Sequence, residues 1–265
     1  MGLDFSNVNI IKSVLILFMN QVVMLLVMTW FEVEWGVQFA NVGASIGYLL
    51  TILYYLNQAS VTDEKLNWRA VLTVSGRKDL VGCFISQLLI SVGAYQLVTG
   101  FIYQLNPNFL NTLITNSQIE STNPIDMAIS FFCVALLVPI SEELLFRGII
   151  LSHLRQSRGV TQAIIISSLL FGVLHGLDFI GATVFGYLCG WLYEKYKNLW
   201  IPIFLHGINN SLACFIQLIT MEGDLSLGIM LRPEIMLYHA ITNLIILMVG
   251  FIILKTVLKP VRKLS

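Results

Sequence analysis

Two adjacent glutamates, Glu142 and Glu143, stand in an apolar run of the chain's second half. Two histidines, His175 and His206, stand in later apolar runs, and Asn210 follows His206 at a distance of four residues. An ionisable side chain at membrane depth costs about 3 kcal/mol or more unless it is paired or faces water, so residues of these types in such runs are candidates for chemistry. In the stretch from Pro139 to Gly148, Glu143 and Arg147 are four apart and share a helix face, with the acid on the N-terminal side as an i,i+4 ion pair prefers. The bland reading of this couple is an internal salt bridge. Glu142 lies about 100° round the helix and has no basic residue three or four positions away. A carboxyl in low dielectric without a neighbouring cation suits a general base working near neutral pH. Its bland alternative is a carboxyl satisfied by another helix. Pro139, which lacks an N–H, opens the backbone just before this pair.

His206 and Asn210 point the same way and offer hydrogen-bond donors to one point, as an oxyanion site requires. The alternative is an interhelical hydrogen bond, worth about 0.6–2 kcal/mol in membranes. His175 is flanked by Gly172 and Gly176, which let another helix or a substrate backbone come close. A lone histidine on an apolar helix is more often a satisfied core residue. Asn209 points away from His206 and reads as packing. Two chemistries are open. Glu142, His175 and His206 could hold zinc as in His₂Glu peptidases, although there is no HExxH and the ligands come from three separate helices. Without a metal, Glu142 helped by His175 would deprotonate a water that attacks a peptide carbonyl, and His206 with Asn210 would hold the oxyanion. Ser141 and Ser211 adjoin the group, but neither sits in a G-x-S-x-G setting, so a serine triad is the weaker choice.

The elements that must position these residues are membrane helices. The chain is 265 residues long, 57% hydrophobic and 11% charged, with a mean hydropathy of +0.81. Soluble domains carry about 25% charged residues, so the composition excludes an ordinary soluble fold. The formal net charge is zero, which gives no sign of a nucleic-acid partner. The four cysteines lie in apolar runs without CxxC spacing and read as small buried hydrophobes. The first apolar run lacks a basic n-region and a small-residue cleavage site, and reads as a retained span.

About 20 residues cross the hydrocarbon core. The pattern predicts an all-α polytopic bundle of about eight spans: 9–31, 37–56, 80–104, 125–150, 161–177, 179–196, 199–220 and 234–257. A surface helix is expected around Leu66–Leu72, and 105–124 reads as a loop rich in Asn, Ser and Thr. With both termini in the cytoplasm, fourteen of the fifteen Lys and Arg fall inside and only Arg232 outside, as the positive-inside rule asks. The outer connections then hold Glu32, Glu34, Glu120, Asp178, Glu222 and Asp224. Glu142, His175 and His206 fall in one band around the inner half and middle of the bilayer. The chain divides into three N-terminal spans over 1–124, catalytic core helices over 125–220, and a last span with a basic tail over 221–265, forming a single integral membrane domain.

Three patterns occur in order: Glu-Glu-x-x-x-Arg at Glu142, Glu143 and Arg147, Phe-x-x-x-His at Phe171 and His175, and His-x-x-x-Asn at His206 and Asn210. The set resembles the CAAX protease and bacteriocin-processing family of intramembrane endopeptidases, also called the Abi family. The run from Gly186 to Pro202 is similar to that family's approach to its third motif, and the resemblance covers about 125–215. It implies Glu142 as catalytic glutamate with His175 beside it, His206 and Asn210 as oxyanion site, and Glu143 and Arg147 in support. It further implies a multi-pass protein of the cell membrane acting on a membrane-associated protein or peptide. No cofactor is favoured, with zinc the alternative. The sequence sets no oligomeric state. Two other functions compete: a non-proteolytic interaction or immunity protein acting on a sensor kinase or bacteriocin, and a proton-coupled transporter, which would be expected to show paired half-repeats.

Overall fold

The computed structural model describes residues 2–35, 40–62, 73–115, 124–221 and 233–258. The surface helix expected around Leu66–Leu72 lies outside them, as do Glu120, Glu222, Asp224 and Arg232. The described chain is helical almost throughout: α1 Ile10–Trp35, α2 Ala40–Gln58, α3 Val74–Leu105, α4 Pro107–Thr115, α5 Pro124–Arg158, α6 Val160–Val173, α7 Phe179–Tyr196, α8 Trp200–Met221 and α9 Pro233–Val257. One short antiparallel pair, β1 Gly2–Asp4 with β2 Ser60–Thr62, has Gly2 opposite Thr62.

Four stretches are long and apolar enough to cross a membrane: Ile10–Val27, Gly76–Leu105, Pro124–Arg158 and Leu237–Val257. Val160–Val173 and Trp200–Ile216 are shorter apolar helices. Large apolar side chains are exposed along α1 (Leu15, Phe18, Leu26) and α9 (Ile245, Met248, Ile252). Such continuous apolar bands are foreign to a water-facing surface and natural against lipid. The protein is a multi-pass helical membrane protein.

Two compact units make up the chain. The first comprises 1–67, 121–167 and 192–217. Within it Asn9 caps α1 by accepting from the Lys12 amide at 2.9 Å. The α1–α2 pair is tied by Asn20 Nδ2 donating to Thr51 Oγ1 at 2.9 Å and by the Tyr55 hydroxyl donating to the Ser13 carbonyl at 3.0 Å. The Asn41 amide on α2 donates to Asp126 on α5 at 2.9 Å. Phe5, just beyond β1, is buried against Gly148, where a Cβ would stand 3.1 Å from its ring.

The second unit comprises 68–120, 168–191 and 218–265. Its frame is α3 against α9. Gly93 lets α3 approach so closely that a Cβ would meet the Asn243 carbonyl at 2.9 Å, the small-residue contact by which membrane helices pack.

Three expectations are corrected. The segment 105–124 begins with helix α4 rather than loop, capped by Asn106, whose side chain accepts from the Phe109 amide at 3.0 Å. The fifth apolar helix ends at Val173, so at 14 residues and about 21 Å it is shorter than the hydrocarbon core. Its end tightens into i,i+3 bonds from Leu174 and His175, and Gly176 turns the chain with φ of 54°. The turn Gly176–Asp178, expected at an outer connection, packs beside Ser91, midway along α3.

The orientation has a direct test. An epitope tag after Ser265 is expected to be labelled only in permeabilised cells; labelling of intact cells contradicts inward termini and an even number of spans.

Candidate active site

Helix α5 is not a regular α-helix. It opens into π-helical turns at Cys133–Leu137 and Leu144–Leu151, and the α-helical turn between them, Val138–Glu143, carries both glutamates. π-turns are rare and concentrate at functional sites. Pro139 has no N–H to give to the Ala135 carbonyl, so the regular ladder fails at that point. In lipid the displaced carbonyls must find other donors. Asn210 Nδ2 donates to the Val134 carbonyl at 2.9 Å, and Gly207 lies so near the Ala135 carbonyl that a Cβ would stand 2.9 Å from it. Beyond the glutamates, Ser167 Oγ donates to the Phe146 carbonyl at 3.0 Å and Ser152 Oγ to the Arg147 carbonyl at 3.3 Å.

Helix α8 is started by Asn198, whose side chain accepts from the Trp200 amide at 3.0 Å, with Pro202 in the first turn. Upstream of it, buried Glu194 pairs with Arg155 at 3.3 Å and with Lys197, joining the end of α5 to the α7–α8 connection. These contacts anchor the start of the helix that carries His206.

Glu143 and Arg147 are completely buried and joined at 2.8 Å, as their spacing predicts. The same oxygen, Oε1, meets His206 Nδ1 at 2.9 Å. His206 Nε2 then points to Glu142 Oε2 at 3.8 Å. The Glu142 side chain keeps 18% of its exposure while Glu143 keeps none, so the two neighbours are already unlike. The structure thus brings Glu142, Glu143, Arg147 and His206 together. Asn210 is one turn along α8, with one amide hydrogen engaged by Val134 and a second to give.

His175 belongs to the second unit. It sits just past the end of α6 with Nδ1 2.7 Å from the Phe171 carbonyl and its ring stacked on Phe171 at 4.3 Å between centroids. A hydrogen on Nδ1, held by that carbonyl, leaves Nε2 with the lone pair of a base or ligand. Phe171 is therefore an orienting residue through both its carbonyl and its ring, and its four-residue spacing from His175 is the signal for it. The serine alternatives are tied down: Ser141 Oγ donates to Val138 O at 3.0 Å and Ser211 Oγ to Gly207 O at 2.7 Å.

Within the first unit Arg147 and His206 take Glu143 Oε1, so the atoms that could face a zinc ion are Glu143 Oε2, the Glu142 carboxylate and His206 Nε2. Among the described residues no three of His, Cys, Asp or Glu stand as a metal-ligand cluster.

Adjacent carboxylates in unlike settings thus flank one imidazole inside a membrane bundle. Residues 124–212 match the family described as type II CAAX prenyl endopeptidase Rce1-like. Over that segment the chain is similar to that family. A protein of Bacillus subtilis (strain 168) named "Putative membrane peptidase YdiL" is 28% identical over 141 residues, 52% of this chain and 55% of that protein. "Uncharacterized protein YpbD" of the same organism is 35% identical over 91 residues, 32% of this chain and 44% of that protein. The chain thus spans about half the length of the curated relatives it matches. No solved structure matches it.

The buried pair is expected to be structural. Removing one partner of a buried ion pair costs about 3–5 kcal/mol, so Arg147→Ala is expected to lower accumulation and thermal midpoint sharply, while Glu142→Gln leaves both near wild type. Size-exclusion profiles and melting curves in detergent check this; wild-type behaviour of Arg147→Ala contradicts it.

Proposed function

We propose that the protein is an intramembrane endopeptidase that cleaves a peptide bond of a membrane-associated protein or peptide with a glutamate-activated water and no metal. The observation that carries this reading is the unlike pair of carboxylates around one imidazole. Glu143 is neutralised by Arg147 and holds His206 by Nδ1, while Glu142 faces His206 Nε2 and retains access. In the proposed reaction Glu142 takes a proton from water as its oxygen bonds to the carbonyl carbon. The carbonyl electrons move onto oxygen, which accepts from His206, protonated on Nε2, and from the second Asn210 amide hydrogen. Collapse breaks the C–N bond, and Glu142 returns its proton to the leaving amine. His175, with Nε2 bare, is assigned to assist the water; the first unit does not contain it.

Comparative proteomics of membrane and medium tests the activity. Peptides released by cells carrying the wild-type protein are expected to disappear with Glu142→Ala at unchanged protein level, and the purified protein is expected to keep activity after chelation and to hold no stoichiometric zinc. An identical peptide profile from Glu142→Ala sinks the peptidase reading. A biological phenotype that survives Glu142→Ala supports the binding or immunity role instead, and stoichiometric zinc lost together with activity replaces the metal-free mechanism.

A further inference from the structure

The second unit holds a polar spot that the proposed hydrolysis does not use. Gln87 and Ser91 lie one turn apart on α3, and Gln87 Nε2 donates to Ser91 Oγ at 3.2 Å. Gln87 is only 4% exposed, yet its Oε1 is buried without a hydrogen-bond partner. Asp178, at the end of the turn that follows His175, presents a second buried oxygen, Oδ1, also without a partner. Its carboxylate makes no ion pair among the described residues. Gly181, in the first turn of α7, shows how these groups converge. A Cβ there would stand 2.2 Å from Ser91 Oγ and 2.3 Å from Asp178 Oδ1. The two oxygens therefore converge on Gly181 so closely that a methyl there would overlap both.

The two orphan atoms, Asp178 Oδ1 and the Oε1 of the Gln87 amide that donates to Ser91, are acceptors. A buried acceptor without a donor is costly, and a buried carboxylate without a counter-charge more so. What compensates such a set is a positive charge. The three groups offer oxygen only, from a carboxylate, an amide carbonyl and a hydroxyl, which is the donor chemistry of hard cations rather than of zinc or copper. A single carboxylate supplies one negative charge, so a monovalent ion leaves the spot neutral, whereas a divalent ion would leave a net positive charge in an apolar bundle. Asp178 is only half-buried, which gives an ion a way in.

We propose that Asp178, Ser91 and the side-chain carbonyl of Gln87 form a binding site for a small monovalent cation, sodium being the probe. The site stands apart from the hydrolytic reading and does not depend on it. It has one structural consequence: the Asp178 amide donates to the His175 carbonyl at 3.1 Å, so an ion on the Asp178 carboxylate clamps the turn that carries His175 against α3.

The test is the melting temperature of the purified full-length protein in detergent at constant ionic strength, with choline chloride replaced stepwise by sodium chloride. A ligand at ten times its Kd is expected to raise the midpoint by about 3 °C for a chain of this size. The rise is expected to saturate with sodium, to vanish in Asp178→Asn, and to require more sodium in Ser91→Ala. Should Asp178→Asn not fold, saturable retention of radioactive sodium by wild type, lost in Gly181→Ala, carries the same decision. Equal midpoints in sodium and choline overturn the site and leave its oxygens to bound water. A sodium response preserved in Asp178→Asn overturns it as well, and a response to calcium but not to sodium overturns the monovalent assignment.

Discussion

Everything at the candidate active site depends on one buried ion pair. Glu143 and Arg147 sit wholly inside an apolar helix, where either charge alone would be prohibitive. Together they neutralise each other, and the carboxylate oxygen that receives Arg147 also receives His206 Nδ1. That single oxygen fixes the register of α8 on α5, the orientation of the imidazole and the direction of Nε2. Glu142 is next in the chain but not in role. The helical turn sends it to a different side, where it keeps partial exposure and faces Nε2. Two consecutive carboxylates thus stand in different settings, one charge-compensated by Arg147 and the other facing the imidazole with partial exposure.

The second constraint is backbone polarity in lipid. The π-turns on either side of the glutamates displace carbonyls that have no water to turn to. Asn210, Ser167 and Ser152 satisfy them from their side chains. Asn210 thus has a structural duty at Val134 whatever else it does, and a substitution there disturbs α5 as well as any oxyanion. Pro139 makes the first irregularity necessary, and Gly207 makes room for the neighbouring helix.

Much of this was legible in the sequence, and for identifiable reasons. The four-residue spacings of Glu143 with Arg147 and of His206 with Asn210 are helix geometry, and so is the separation of Glu142 from Glu143. The membrane class followed from having too few charges for a water-facing surface. What stayed hidden depends on partners distant in sequence or on small shifts of backbone bonding. Pro139 announced a break but not π-turns on both sides of the glutamates. The apolar run through His175 looked like one span, yet the chain leaves the helix at Val173, because positive φ at Gly176 and the i,i+3 bonds before it win over hydropathy. The β1–β2 pair joins residues nearly sixty apart, and three-residue strands carry no readable period.

The fold is that of a helical membrane protein, residues 124–212 match the Rce1-like family, and the central claim of the proposed mechanism is narrower: Glu142 is the base that activates water. The most direct measurement is the single-turnover cleavage rate of a membrane-anchored peptide, chosen from peptides released in cells, by reconstituted wild type and Glu142→Gln of equal melting temperature. A positioned general base contributes about 100- to 10,000-fold, so the rate is expected to fall by at least about 100-fold while peptide binding persists. A Glu142→Gln protein that is folded, binds the peptide and cleaves it at the wild-type rate contradicts the account.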